Sequence, residues 1–127
     1  KVGFGARVKA VFGIATLGIN YASGTEGGTD TSGSDLDDQT TNSMGGYCDL
    51  ALGKGVLTMA GFFTTLEKDS DDYTQEHNQF YVAYAHPLPI DGATIKFAVS
   101  QASASNDDPA IEDSDALGFK VRLNYNF

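Results

Sequence analysis

The run Leu117-Gly118-Phe119-Lys120-Val121-Arg122-Leu123-Asn124-Tyr125-Asn126-Phe127 decides the fold class of this chain. Every odd position in it is apolar or aromatic, and every even position is glycine, a base or asparagine. A period of two held this long describes a β-strand with one wholly apolar face. The same signature stands at the other end of the chain. There Val2, Phe4, Ala6, Val8 and Ala10 alternate with Gly3, Gly5, Arg7 and Lys9, and Ala15, Leu17, Ile19 and Tyr21 alternate with Thr16, Gly18 and Asn20. Between these ends the sequence predicts strands at about 46–52, 56–66, 79–86 and 94–103. The facing of the 56–66 strand is ambiguous, because Leu57, Met59 and Phe63 share one parity and Val56, Ala60 and Phe62 the other.

The connections carry as much information as the strands. Short ones fall at 11–14, 53–55 and 87–93, where Gly53-Lys54-Gly55 and Pro87-Leu88-Pro89 suit turns and not strand interiors. Long ones alternate with them at 24–45, 67–78 and 104–115, and these hold fifteen of the seventeen acids with a single base, Lys68. The three segments are rich in Gly, Ser, Thr and Asn and read as solvated acidic loops. Short and long connections in strict alternation are the mark of an up-and-down barrel in an outer membrane. Strands of about 8 to 12 residues also suit a tilted bilayer crossing. Lipid tolerates only helices and closed barrels, so an apolar face of this kind belongs to a closed sheet. The reading is therefore all-β, an antiparallel up-and-down transmembrane β-barrel. Seven strands are an odd number, so the chain is expected to be part of a larger barrel.

Composition agrees with this and removes other classes. Within 127 residues the net charge is −9 and apolar residues make up 41%, which fits neither a disordered chain nor a nucleic-acid binder. The longest uncharged stretch, Ala10 to Thr25, is interrupted by Thr16, Asn20 and Ser23 and is no membrane helix. One cysteine, Cys48, excludes an internal disulfide, and with only two histidines no Cys/His metal arrangement is available. No charged-then-apolar leader stands at the start, so either a signal has been removed or the chain begins partway through a longer protein.

Gly5-Ala6-Arg7-Val8, leading through Phe12-Gly13 into Leu17-Gly18-Ile19-Asn20-Tyr21, and above all Gly118 to Phe127, resemble the C-terminal part of a Gram-negative general porin. The resemblance extends over residues 1–127, with the last ten the distinctive ones. It implies a trimer of sixteen-stranded barrels in the outer membrane, forming water-filled channels for passive diffusion of small hydrophilic solutes and ions. It implies lipid and lipopolysaccharide around the barrel, and the alternation of connection lengths together with the placement of the fifteen acids puts the acidic segments 24–45, 67–78 and 104–115 on the extracellular side. In that family a terminal phenylalanine with alternating apolar residues before it is read by the barrel-assembly machinery. Carried onto this chain, the signal would be Phe119, Val121, Leu123, Tyr125 and Phe127.

Arg7, Lys9, Lys96, Lys120 and Arg122 each stand opposite an apolar parity and should line the lumen, since a lipid-facing charge costs roughly 2–4 kcal/mol at mid-depth. They would form a positive pore wall that biases solute passage. The plainer reading is that a wetted wall tolerates any charge. Asp35-Leu36-Asp37-Asp38 and Asp69-Ser70-Asp71-Asp72 offer hard oxygen ligands but lack EF-hand spacing, so a solvated acidic rim is expected and no metal or cofactor. Cys48 shares the parity of Gly46, Leu50 and Leu52 and should face lipid. His77, in a loop, and His86, at a turn, have no partners at a catalytic spacing, so the chain is not expected to be an enzyme. Two other classes remain as alternatives. One is a soluble secreted β-module with acidic loops for cation-dependent binding, which would need a second sheet against the apolar face. The other is an outer-membrane barrel enzyme, lipase or protease, with its catalytic residues on other strands.

Overall fold

A two-faced strand persists only if its amides and carbonyls are paired, and its apolar parity then fixes which register is tolerable. The computed structural model, which describes residues 2–29, 35–68, 73–107, 110 and 112–126, shows how this is met. Seven strands follow one another: β1 (Val2–Phe12), β2 (Ala15–Thr29), β3 (Asp35–Leu52), β4 (Gly55–Lys68), β5 (Tyr73–Pro87), β6 (Ala93–Asn106) and β7 (Ser114–Tyr125). They form a single sheet in sequence order, each strand antiparallel to the next. No second sheet lies against either face among the described residues.

The turns at one end are tight. Gly13 and Ile14 join β1 to β2, and Gly53 and Lys54 join β3 to β4. Gly13 (φ +54°) and Gly53 (φ +62°) each take the first central position of a two-residue hairpin, where primed turns demand positive φ and a side chain would be strained. The β5–β6 turn is closed by the Leu88 amide donating to the Ala93 carbonyl at 2.9 Å. The Asn126 amide donates to the Gly92 carbonyl, also at 2.9 Å, which ties the end of β7 to this turn. All three lie within the short connections that the sequence predicts.

The other three connections are shorter than expected, because the strands run on into them. β2 continues to Thr29, β3 begins at Asp35, β5 begins at Tyr73 and β6 ends at Asn106. Much of 24–45, 67–78 and 104–115 is thus strand and not loop. Thr25 pairs with Thr40, Gln39 with Lys68 and Gln75 with Asn106. Hydroxyls and amides hold these ends across the ladder: Ser23 Oγ donates to Asn42 Oδ1 at 2.6 Å, and Ser43 and Thr64 share a bond of 3.1 Å. Both faces are polar there, so period-two patterning vanishes from the sequence while the ladder continues. At 18 residues, β3 extends about 60 Å, far beyond the 9–11 residues that a bilayer crossing takes. His77 and His86, expected in a loop and at a turn, both lie within β5.

The sheet has no core of the kind a soluble domain builds. Among the described residues, no large side chain is fully buried, and the buried apolar residues are Ala60, Ala83 and Ala93. Leu117 (80%), Phe119 (71%) and Phe4 (67%) instead stand in the open. The registers assign these side chains to one face: Phe4 opposite Ser23, Ile19 opposite Gly46, Met59 opposite Val82, Val99 opposite Phe119. Of the large exposed apolar residues on strands, all of those described but Val11, Val56 and Phe62 fall on this face. Such a surface needs an apolar surrounding, and for the wall of an outer-membrane barrel that surrounding is lipid.

Register also settles β4. Leu57 pairs with Leu50 and Tyr84, and Met59 with Cys48 and Val82, so Leu57, Met59 and Phe63 belong to the apolar face. Phe62 faces the other way, lying over Gly45, where a Cβ would come within 2.6 Å of its ring. Tyr47 lies over Gly18 in the same manner, closely enough that a Cβ at Gly18 would overlap the ring. Replacing Gly18 by Val is therefore expected to cost about 1–3 kcal/mol in guanidinium unfolding, as overpacking does. Most of that cost should disappear when Tyr47 is also changed to Ala. A cost that persists in the double variant would show that the Tyr47 ring is not what the new side chain meets.

Candidate functional site

The face opposite the apolar one carries nearly all the chemistry. Its residues are mostly small or polar, among them Gly18, Asn20, Ser43, Thr58, Thr94, Ser100 and Gly118. Arg7 and Lys9 belong to it on β1, paired with Asn20 and Gly18. Lys96 on β6 and Lys120 and Arg122 on β7 belong to it at the other side of the sheet, Lys96 directly opposite Arg122 and Lys120 opposite Ala98. The structure thus puts all five predicted bases on one face. They form two groups, separated by the strands between β1 and β6.

On the apolar face, the charged residues among those described are confined to the strand ends. Glu67 and Glu76 lie toward the long connections, where Glu67 pairs with Thr74 and Thr65 with Glu76, and Asp115 pairs with Ser103. Cys48 pairs with Leu17 and Met59 on the apolar face, as its parity predicts, and is half-buried there. Near the short turns the same face carries Tyr84 and His86, whose rings stack at 5.9 Å with a 3.2 Å bond between the hydroxyl and Nδ1. Paired aromatics at this height suit the boundary between hydrocarbon and headgroups.

The second group of bases surrounds a real depression. Tyr81, Ala83, Lys96, Ala98, Lys120 and Arg122 line a cavity of about 160 Å³. Ala83 pairs with Ala98, so two methyl groups lie side by side among the longer side chains of its lining. Lys96 is half-buried, while Lys120 and Arg122 are exposed. Between the two basic groups stands a carboxylate that strand patterning alone does not single out. Asp49 on β3 accepts a 2.6 Å hydrogen bond from the Thr58 hydroxyl on β4, and both residues belong to the polar face. The signal for Asp49 in the sequence is its position within a predicted strand, outside the three acidic segments and at the parity opposite Cys48 and Leu50.

Of the predicted assembly residues, Phe119, Val121, Leu123 and Tyr125 line up on the apolar face of β7, opposite Val99, Phe97, Ile95 and Ala93. Phe127 lies outside the described residues, as do Asp69 to Asp72.

No family model matches the sequence, and no curated protein does. Two solved structures match the fold, both of OmpT from Vibrio cholerae. One is the in-vitro folded outer membrane protein in its trimer form, with a TM-score of 0.74 at 14% identity, covering 95% of this chain and 39% of that one. The other is the outer-membrane expressed protein, with a TM-score of 0.76 at 14% identity, covering 95% of this chain and 40% of that one. The chain therefore spans about two fifths of the barrels it resembles. The expectation that the chain is no enzyme does not survive this likeness. A fold shared with OmpT over two fifths of its length fixes strands and faces but not chemistry, and the residues of this portion do not exclude a catalytic whole. The seven strands have the fold of an outer-membrane β-barrel wall.

Proposed function

We propose that the chain is a section of the wall of an outer-membrane porin in a Gram-negative bacterium, one that passes small hydrophilic solutes and ions by diffusion. The observation that carries this is the division of the sheet into an apolar face and a polar face of small residues and bases, sustained across all seven strands. The apolar face meets lipid, and the polar face meets water inside the closed barrel. Both outer strands, β1 and β7, have one neighbour each in the sheet, so closure needs further strands. Sixteen in all would follow the general porins, and a homotrimer would follow the same resemblance. Supporting the trimer, one of the OmpT structures has a trimer form. The short turns face the periplasm in this reading, and the acidic strand ends meet lipopolysaccharide outside. Planar-bilayer recording of the purified full-length protein tests it. Stepwise, ohmic conductance is expected, and a protein that inserts without conducting would overturn the channel.

The same reading makes Phe119, Val121, Leu123, Tyr125 and Phe127 the segment offered to the barrel-assembly machinery, by strand addition at the open edge of β7. Deleting Phe127 from the full-length protein is expected to lower the yield of membrane insertion severalfold, while the molecules that do insert conduct normally. One ring's burial, about 1.5–3 kcal/mol, is a small part of a barrel's stability. Unchanged insertion yield would remove the assembly role.

A further inference from the structure

From the cavity between β5, β6 and β7 we infer a binding site for a phosphate group, inorganic or carried as a monoester on a small solute. This deepens the channel reading and rests on it for its location in the lumen. Lys96 and Arg122 are directly opposed partners across the β6–β7 ladder, and Lys120 is the next residue on the same face of β7. Directly opposed like charges destabilise a sheet, and a third on the diagonal adds to the repulsion. Among the described residues no carboxylate lines the cavity that holds these three cations. An anion bound among them would relieve that repulsion.

The shape of the site selects the kind of anion. Ala83 and Ala98 leave about 160 Å³ over the wall, and the three cations line that space together, so a ligand there meets two ammonium groups and a guanidinium at once. A guanidinium fork takes two oxygens of one group, while ammonium groups act as movable point charges. Two lysines with one arginine therefore suit a compact tetrahedral dianion better than a planar monoanion. The phenol of Tyr81 completes the lining and gives an ester's organic part a surface and a hydroxyl partner. The site lies low in the barrel wall: Lys96 is three residues from the start of β6 and Arg122 three from the end of β7, about 10 Å from the short-turn rim.

The test uses the full-length protein in detergent at constant ionic strength, with the 31P line width of inorganic phosphate and of glucose 6-phosphate as readout. Both lines should broaden on addition of wild-type protein, and equal ionic strength as chloride should not restore them. Lys96→Gln with Lys120→Gln should weaken the apparent affinity tenfold or more, while Lys54→Gln, in the β3–β4 turn, should leave it unchanged. Lys120→Gln alone, at an exposed position, should give an intermediate loss and covers the case in which the double variant does not fold. Stronger broadening for glucose 6-phosphate would assign the site to phosphomonoesters, and equal broadening to phosphate itself. No broadening, displacement by chloride, or equal affinity in the lysine variants would overturn the inference. Conductance of the same preparation separates the two readings. A conducting barrel that ignores phosphate sinks the site alone, and a phosphate-binding barrel that does not conduct sinks the channel alone.

Discussion

An arginine at Val82 is expected to destabilise the barrel by about 2–4 kcal/mol, whereas an arginine at Gln79, three residues away on the same strand, should change stability by no more than about 0.5 kcal/mol. Both residues are in β5 and both are exposed, so exposure in itself predicts no difference. Facing predicts all of it. Val82 pairs with Met59 and Val99 in the middle of the apolar face, between Phe80 and Tyr84. Gln79 pairs with Phe62 and Ala102 on the face with the bases. A charge at Val82 must enter hydrocarbon or drag water into it, while one at Gln79 stays in water on the lumen side of the proposed channel. Guanidinium unfolding from lipid vesicles measures the two variants. Equal costs would mean that the faces do not meet different solvents.

The second large effect is electrical. Changing Lys120 and Arg122 together to Glu turns two positive charges into two negative ones beside Lys96. Clefts with low-dielectric walls concentrate the field of such charges to several kT, enough to weight ions of opposite sign severalfold. In a salt gradient, the reversal potential of the full-length protein, if it conducts as proposed, should move toward the cation equilibrium value, with a severalfold rise in relative cation permeability. The shift should shrink at high salt, where the Debye length falls to about 3 Å at 1 M. An unchanged reversal potential would mean that the patch does not control permeation.

Much of this arrangement is legible in the amino-acid sequence, for a physical reason. Where one face meets lipid and the other water, the demand on alternate residues is opposite, and the contrast is written at period two, as in Leu117 to Phe127. Antiparallel partners keep a constant index sum, so a hairpin centred near residue 109 is enough to set Lys96 opposite Arg122. Legibility ends where that contrast lapses. β4 is ambiguous in sequence because Phe62 points inward and is accommodated by the missing side chain at Gly45, a contact between strands that no single strand's pattern contains. The ends of β2, β3, β5 and β6 look like loops because threonine, serine, asparagine and glutamine serve equally well on both faces once the lipid is left behind. Asp49 does not stand out because its partner, the Thr58 hydroxyl, lies across the ladder on another strand.

Successive residues along each strand should meet lipid and water in turn, and thiol accessibility reads this residue by residue. With Cys48 changed to Ala, single cysteines at 117 through 124 of the full-length protein in lipid vesicles would be treated with a membrane-impermeant maleimide. Positions 118, 120, 122 and 124 should react, and positions 117, 119, 121 and 123 should resist, giving a period of two along β7. Uniform reaction along the strand, or reaction at the odd positions, would contradict a sheet that divides lipid from a water-filled lumen.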